Sequence, residues 1–192
     1  MTVKEKKRGR PVGTGSQLTA ASIVECARRL MQEGGKVPSI RRVSGELGVD
    51  PMAIYHYFSS KALLLEAVTV SLIEDIYEPQ GSGDWQGELT LLCQSYLTLL
   101  QRHPGLLETL LSMQSVGPAE VFIERFRIAL APLQLEEPLL KDALDLMVDY
   151  LHGFALAMQC NAGQDTPLSI EAMEGPLGLF FKALSAEIKG PR

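Results

Sequence analysis

The sequence has few of the residues that build disulfide-stabilised, metal-binding or membrane-spanning proteins. Its three cysteines, Cys26, Cys93 and Cys160, are far apart and lie in apolar stretches with helical periodicity. That distribution predicts reduced core thiols in a cytoplasmic protein, and not a disulfide framework or a zinc site. The chain contains no apolar run of about 18 residues and no signal peptide. We therefore expect a protein without a membrane span.

Motifs of common catalytic sites are absent as well. There is no phosphate-binding loop ending in Gly-Lys-Ser or Gly-Lys-Thr, no Gly-x-Ser-x-Gly motif and no His-Glu-x-x-His pair. We expect a protein that is not an enzyme and that has no metal and no cofactor.

Charge is distributed unevenly along the chain. Residues 1–61 contain 11 Lys and Arg against 5 Asp and Glu, whereas residues 62–192 contain 7 against 18. The net charge of −5 therefore combines a basic N-terminal third with an acidic remainder. Lys and Arg neutralise phosphates and release counterions, so the basic third is expected to bind a nucleic acid.

Residues 39–61 predict two short helices joined by a tight turn. In the first helix, Ile40, Val43 and Leu47 have the i, i+3, i+7 spacing of a buried face, and Ser39 is a suitable N-cap.

The turn and the second helix follow at once. Gly48 can take the left-handed conformation that ends a helix, and Asp50-Pro51 is a typical helix start. Ile54 and Phe58 would pack back on the first helix. This geometry is typical of a helix-turn-helix, whose second helix lies in the major groove of DNA. A purely structural helical hairpin would show the same pattern, but the charge distribution favours DNA binding.

Residues 1–17 are basic, rich in glycine and almost free of apolar side chains, which predicts a disordered arm. Within it, Arg8-Gly9-Arg10-Pro11 resembles the core of an AT-hook, in which Arg8 and Arg10 would enter a narrow A·T minor groove. A solvated tail that adds nonspecific attraction fits the same residues.

Amphipathic helices flank the hairpin. One is predicted from Thr19 to Gly34-Gly35, and the other starts at Ser59 or Ser60, carries Lys61 in its first turn and continues through Ile76 towards Pro79.

Together these features resemble the TetR family of bacterial transcriptional regulators. The resemblance covers residues 19 to about 68 and rests on Ser-Ile-Arg-Arg, Gly-Val in the turn, Ile-Tyr-His-Tyr-Phe and Lys61. It implies an all-α fold, with a three-helix DNA-binding head that contains the helix-turn-helix and a larger helical bundle as regulatory domain. The expected domains are a disordered basic arm (1–17), the DNA-binding domain (18–61), a connecting helix (62–78) and the ligand-binding and dimerisation domain (79–192).

The resemblance also implies roles for individual residues at the DNA. Arg41 would reach a base edge or a phosphate, and Met52 and Ala53 would face the groove floor. Arginine can pair with guanine, a contact worth about 1 to 3 kcal/mol of discrimination, and apolar side chains can contact a thymine methyl. Tyrosine hydroxyls and a lysine ammonium mainly fix the register. The candidate DNA-binding residues are Arg8, Arg10, Ser39, Arg41, Met52, Ala53, Tyr55, His56, Tyr57 and Lys61, of which His56 is better explained as a surface histidine.

Beyond a turn-rich stretch at residues 79–87, the periodicity is helical, with two long apolar seams. One extends over residues 137–161 with spacings of four and three, and the other over residues 173–188. The seams could form the core of a monomer. They could also form a four-helix bundle shared by two subunits, as in the TetR family, so that a homodimer binds palindromic half-sites on double-stranded DNA about 34 Å apart or a multiple of that.

The family keeps a ligand pocket in this second domain. Methionine and aromatic side chains suit an adaptable apolar cavity, so the expected effector is a small apolar or aromatic molecule. Tyr77 and Thr109 stand where tetracycline-responsive members carry chelate-binding histidines, which argues against tetracycline. His152 is better explained by a buried or interface hydrogen bond than by a metal. The candidate ligand-binding residues are Tyr77, Tyr96, His103, Met113, Gln114, Phe126, Tyr150 and Phe154, and a wider set adds Trp85, Phe122 and Met158.

Three functions follow from these patterns. The favoured one is a dimeric regulator, a repressor that an effector releases from its operator. The second is an architectural DNA-binding protein without an effector, supported by the Arg-Gly-Arg-Pro arm. The third is a helical enzyme with a coincidental hairpin.

Overall fold

Every regular element in the described part of the chain is helical. The computed structural model describes residues 18–34, 37–103, 105–113 and 116–189, and the all-α prediction is confirmed for them. Residues 1–17, with Arg8 and Arg10, and Gln114 lie outside this part of the chain. The helices are α1 (Ala20–Gly34), α2 (Ile40–Leu47), α3 (Pro51–Tyr55), α4 (Lys61–Ile73), α5 (Trp85–Arg102), α6 (Leu106–Ser112), α7 (Gly117–Leu130), α8 (Glu137–Asn161) and α9 (Glu174–Lys189), with 3-10 turns at Ala131–Leu133 and Ile170–Met173.

The ends of α2 and α3 are set by local capping. The Oγ of Ser39 accepts a hydrogen bond from the amide of Arg42 at 3.2 Å, which makes Ser39 the predicted N-cap. Gly48 ends α2 with a φ of 65°, in the left-handed region. Asp50 caps α3 by accepting from the amide of Met52 at 2.8 Å. The tight turn expected from the sequence is therefore confirmed.

The first three helices enclose a small core. Ile23, Met31, Val43 and Ile54 have no exposed surface. Ser44, 2% exposed, lies on α2 where a small side chain lets α2 and α3 approach. The hairpin is thus held rigidly against α1, and its other face remains free.

Helix α4 connects this head to the rest of the molecule. It is capped by Ser60, whose Oγ accepts from the amide of Leu63 at 3.2 Å, and it packs against both α1 and α7. It ends at Ile73, earlier than the predicted continuation through Ile76. The guanidinium of Arg125, on α7, donates to the carbonyl oxygens of Ile73, Glu74 and Ile76 and so satisfies groups that a longer helix would have bonded internally.

A short linker joins α4 to α5 and is held by Glu88. The carboxylate of Glu88 accepts from the amides of Gly81 at 3.1 Å and Ser82 at 2.7 Å. Hydrogen bonding by Ser82, followed by that of the linker amides, lowers the pKa of Glu88. The turn-rich stretch at residues 79–87 is therefore anchored through Gly81 and Ser82.

Helices α5, α7 and α8 pack together to form the body. The seam on α8 is buried at Met147, Leu151 and Met158. Pro176 lies in the first turn of α9, where a helix does not need the amide donor that proline lacks. No helix in the described residues is both long and apolar enough to span a bilayer.

The cysteines occupy different environments. Cys26 and Cys93 are buried, as predicted, and burial raises the pKa of Cys93 to about 12. Cys160 is exposed in the last turn of α8, so its prediction as a core thiol was wrong. The apolar seam of α8 runs along another face of the helix, and Cys160 does not belong to it.

Candidate DNA interface and effector cavity

The exposed face of α3 carries side chains that a structural hairpin would not need to display. Met52 is 63% exposed and Tyr55 is 41% exposed, whereas Ile54 is buried. Phe58 packs against the core, as predicted. Ala53 is partly buried and His56 is exposed. A helix with an anchored inner face and an apolar or aromatic outer face is suited to contact another surface.

The basic side chains of the head divide into two groups. Arg28 pairs with Asp75 in the turn after α4, and Arg29 pairs with Glu33 and Glu46. These two arginines hold the fold together. Within the described head, the cationic side chains without an acidic partner are Arg41 and Arg42 on α2 and Lys61 at the start of α4, and all three are exposed.

Two of the predicted DNA-binding residues also have structural roles. Ser39 uses its Oγ to cap α2. The hydroxyl of Tyr57 donates to the carbonyl oxygen of Leu18 at 2.6 Å, although the side chain is 46% exposed. By contrast, Tyr55 and Lys61 make no side-chain hydrogen bond to another described residue.

A cavity of about 370 Å³ lies in the body, bounded by the end of α4 and by α5, α6, α7 and α8. Its volume is within the range of ligand pockets in proteins, about 300 to 1,000 Å³. Most of its wall is apolar, and four polar side chains interrupt it. The apolar lining includes Ile73, Leu110, Met113, Phe122, Leu144 and Val148, and the polar lining consists of Tyr96, Asp145, Asp149 and His152.

Tyr96 and His152 form a hydrogen-bonded pair in the cavity wall. The hydroxyl oxygen of Tyr96 lies 2.9 Å from Nε2 of His152. Burial raises the pKa of Tyr96 and lowers the pKa of His152, an effect that Asp149 partly opposes. The pair is therefore neutral near pH 7, with hydrogen-bonding capacity left for a ligand. The hydrogen bond predicted for His152 is confirmed.

The predicted ligand-binding residues are only partly brought together. Tyr96 and Met113 line the cavity, as does Phe122 from the wider set. Phe126 lies behind Phe122 in the core, with ring centroids 6.3 Å apart. Tyr77 lies elsewhere, where its amide donates to Ser95.

Three further candidates lie away from this cavity. Tyr150 and Phe154 pack together on α8, with ring centroids 5.8 Å apart, and Tyr150 lines a groove between α8 and α9. His103 is buried at the end of α5, where its Nδ1 has no hydrogen-bond partner among the described residues.

Sequence reasoning missed the polar side of the cavity. Asp145, Asp149 and His152 are spaced i, i+4, i+7 on α8, a pattern that places them on one helix face. Charged residues in such a stripe usually indicate a solvated surface, so the pattern alone did not indicate a cavity. No cluster of three or more potential metal ligands occurs among the described residues.

Two family models match the chain. The model of bacterial regulatory proteins, tetR family, matches residues 23–68, and that of the tetracyclin repressor-like C-terminal domain matches residues 78–177. The chain belongs to the TetR family. The first matched region contains the helix-turn-helix, and the second contains the lining residues of the cavity other than Ile73.

Individual TetR family proteins are similar in sequence or in fold. The chain is 31% identical over 147 residues to the HTH-type transcriptional repressor DrrR1 of Streptomyces coeruleorubidus. That alignment covers 74% of this chain and 54% of DrrR1, so the chain spans about half the length of this curated relative.

Solved structures share the fold over nearly the whole chain. Streptomyces coelicolor ActR in complex with actinorhodin superimposes with a TM-score of 0.76 at 20% identity, covering 90% of this chain and 97% of ActR. Mycobacterium smegmatis BioQ superimposes with a TM-score of 0.71 at 23% identity, covering 88% of this chain and 99% of BioQ.

Proposed function

We propose that this TetR family protein is a transcriptional repressor that binds a DNA operator through α3 and leaves it when a small molecule occupies the cavity in the body. The observation that carries the proposal is the outer face of the head. There Arg41, Arg42 and Lys61, which have no acidic partner within the described head, accompany the exposed face of α3. The repressor DrrR1, the ligand-bound ActR and a BioQ structure with its double-stranded DNA operator support the proposal by analogy.

The head is suited to a major groove. Met52, Ala53 and Tyr55 would face the bases, while Arg41 and Lys61 would contact base edges or phosphates. We assign DNA binding to residues 18–61, connection to residues 62–78 and ligand binding with dimerisation to residues 79–192. The basic arm at 1–17 would add phosphate or minor-groove contacts.

Dimerisation is supported by the surface of α8 and α9. Leu146 is 62% exposed and Leu179 is 67% exposed, and both border the groove that Tyr150 and Phe180 line. A continuous apolar surface of this kind is typical of an interface. A second copy packed against it by two-fold symmetry would form a four-helix bundle and present two copies of α3 to palindromic half-sites.

Helix α4 offers a path from the cavity to the head. Its last residue, Ile73, lines the cavity, and Arg125 on α7 holds the same end through backbone carbonyls. At the same end of α4, Arg28 of α1 donates to the hydroxyl of Ser71 at 2.8 Å and pairs with Asp75, which lies just beyond the helix. A ligand that prefers one placement of α4 would thereby favour one placement of α3, and this differential affinity sets the response.

A gel-shift titration tests the DNA-binding part of the proposal. Purified protein is titrated against its own upstream DNA and against random DNA of equal length, at two salt concentrations. We expect a clear preference for the upstream DNA that persists at the higher salt. Equal affinity for both DNAs would support an architectural protein instead, and no binding at low salt would remove DNA recognition altogether.

A further inference from the structure

The polar residues of the cavity, more than its volume, indicate which class of ligand it would bind. We infer that the cavity selects an organic cation, with an apolar or aromatic body and a protonated amine or quaternary centre, over neutral or anionic molecules of the same shape. Its role as the effector rests on the proposed function, whereas the binding preference can be measured on the protein alone.

The first step concerns the formal charges in the wall. Two carboxylates, Asp145 and Asp149, line the cavity one helical turn apart, and no Lys or Arg lines it in the described residues. The neighbouring positions 114 and 115, outside the described residues, are Gln and Ser and carry no charge.

The second step concerns how these carboxylates are neutralised. Asp145 pairs with Lys141 on the exposed side of α8. Asp149 has no salt-bridge partner among the described residues. Arg125 on α7 is directed at the carbonyl oxygens of α4 and does not line the cavity. The carboxylate of Asp149 is therefore left without a cationic partner in the part of the chain that the structure describes.

The third step concerns the imidazole. His152 is half-buried and bonded through Nε2 to Tyr96, and burial lowers its pKa, so it contributes no positive charge near pH 7. Asp149 is an exposed residue of the cavity wall, and a ligand anion would approach it with no compensating cation among the described residues, which is electrostatically unfavourable. A ligand cation would supply the missing partner.

The fourth step concerns the aromatic wall. Tyr96 and Phe122 lie with ring centroids 4.9 Å apart and both line the cavity. Aromatic faces attract cations through their quadrupole. The same rings accommodate the apolar body, so a single molecule carrying both groups would use the apolar and the acidic sides together.

Two matched pairs of probes test the preference in the full-length protein. Tetraphenylphosphonium and tetraphenylborate have the same shape and opposite charge, and 1-naphthylmethylamine with 1-naphthaleneacetate forms a smaller pair. We expect the cation of at least one pair to bind about tenfold more tightly than its anion in isothermal titration calorimetry at pH 7.5. An anion that binds as tightly as its cation in both pairs, or no cation binding at all, would overturn the inference.

Variants of α8 locate the binding. Asp149→Asn should remove most of the preference for the cation, while Asp149→Glu should retain it. Asp142→Asn changes the same charge on the same helix outside the cavity and should leave the preference intact. Circular dichroism and thermal unfolding confirm that each variant is folded. If Asp142→Asn reduced the preference as much as Asp149→Asn, the cavity would not be its source.

The gel shift separates this inference from the proposed function. If cations bind through Asp149 and the protein has no preference for its upstream DNA, the site stands and the repressor proposal fails. If the upstream DNA is bound specifically and no cation binds, the repressor proposal stands and the inference about ligand charge fails.

Discussion

The hydroxyl of Tyr57 donates a hydrogen bond to the backbone carbonyl oxygen of Leu18 across 2.6 Å. This contact joins the segment that follows α3 to Leu18, which lies two residues before the start of α1. The point at which the basic N-terminal segment leaves the head is thereby held at a defined position beside α3.

Replacing Tyr57 by Phe should therefore affect stability more than replacing Tyr55 by Phe. The Tyr57→Phe change removes a partly exposed hydrogen bond, so we expect a loss of about 1 kcal/mol or less in the free energy of unfolding in urea. The hydroxyl of Tyr55 has no partner among the described residues, so Tyr55→Phe should leave that free energy unchanged. Equal effects of the two changes would contradict the structural role of Tyr57.

Tyr55→Ala and Lys61→Ala should weaken operator binding while the oligomeric state and the melting temperature stay nearly constant. Both side chains are exposed and make no side-chain hydrogen bond within the described chain. If Lys61 contacts a phosphate, Lys61→Ala should also change the salt dependence. The slope of the logarithm of the operator-binding constant against the logarithm of the salt concentration should become shallower by about one. Arg102→Ala, which removes an exposed charge from α5, serves as control. Unfolding of either variant would mean that its side chain is structural.

Arg125→Met should loosen the end of α4. The change removes the guanidinium donor from the carbonyl oxygens of Ile73, Glu74 and Ile76, of which only that of Ile73 keeps a backbone donor among the described residues, the amide of Ile76. We expect a loss of about 1 to 3 kcal/mol in stability. Hydrogen exchange of the amides at residues 74–76 should become faster. Arg127→Met on the same helix breaks only an exposed pair with Glu137 and should have little effect. Unchanged exchange in Arg125→Met would contradict the anchoring role.

Stability should fall as the pH is lowered from 7.5 to 5.5. Burial lowers the pKa of His103 and His152 in the folded protein, whereas both titrate near 6.5 when unfolded. Below that value the unfolded chain binds more protons, so their contribution is fully present above pH 6.5 and is lost as the pH falls towards the folded pKa values. The lowered pKa of Glu88 gives a contribution that is present throughout this pH range and is lost only at lower pH, as the pH falls below the ordinary range of a glutamate towards the folded value.

Urea unfolding at the two pH values measures this effect. The double variant His103→Gln with His152→Gln should show a smaller difference between pH 7.5 and 5.5 than the unchanged protein. His56→Gln alters an exposed histidine and should preserve the full difference. A double variant that keeps the full pH dependence would assign it to other groups.

A charge placed on the α8 and α9 surface should prevent dimer formation. Leu146→Glu with Leu179→Glu would bury carboxylates in the proposed four-helix bundle, so light scattering should give the monomer mass and operator affinity should fall sharply. Leu91→Glu alters an exposed leucine on α5 and should leave the mass unchanged. A double variant that remains dimeric would place the interface elsewhere.

The sequence predicted the parts of the fold that depend on residues close together in the chain. Ser39 and Asp50 cap their helices through amides two or three residues away, and Gly48 ends α2 through its own backbone conformation. Such signals are readable because all the interacting atoms belong to one short stretch. The periodicity of residues 137–161 likewise predicted the bounds of α8.

The candidate site was harder to predict because its partners are distant in the chain. Tyr96 and His152 are separated by 56 residues and meet only when α5 packs against α8. Whether Asp149 faces solvent or a cavity depends on where α6 and α7 lie, which no pattern on α8 encodes. The hydrogen bond from Tyr57 to Leu18 likewise depends on the packing of the whole head.

The distribution of the cysteines allows the proposed response to an effector to be followed by fluorescence. Because Cys26 and Cys93 are buried and Cys160 is exposed, a maleimide dye applied to the native protein should attach at Cys160 alone, without any engineered residue. A dimer would then carry one dye on each subunit at the end of α8. Energy transfer between a donor and an acceptor dye would report subunit exchange and any change in the separation of the two bodies.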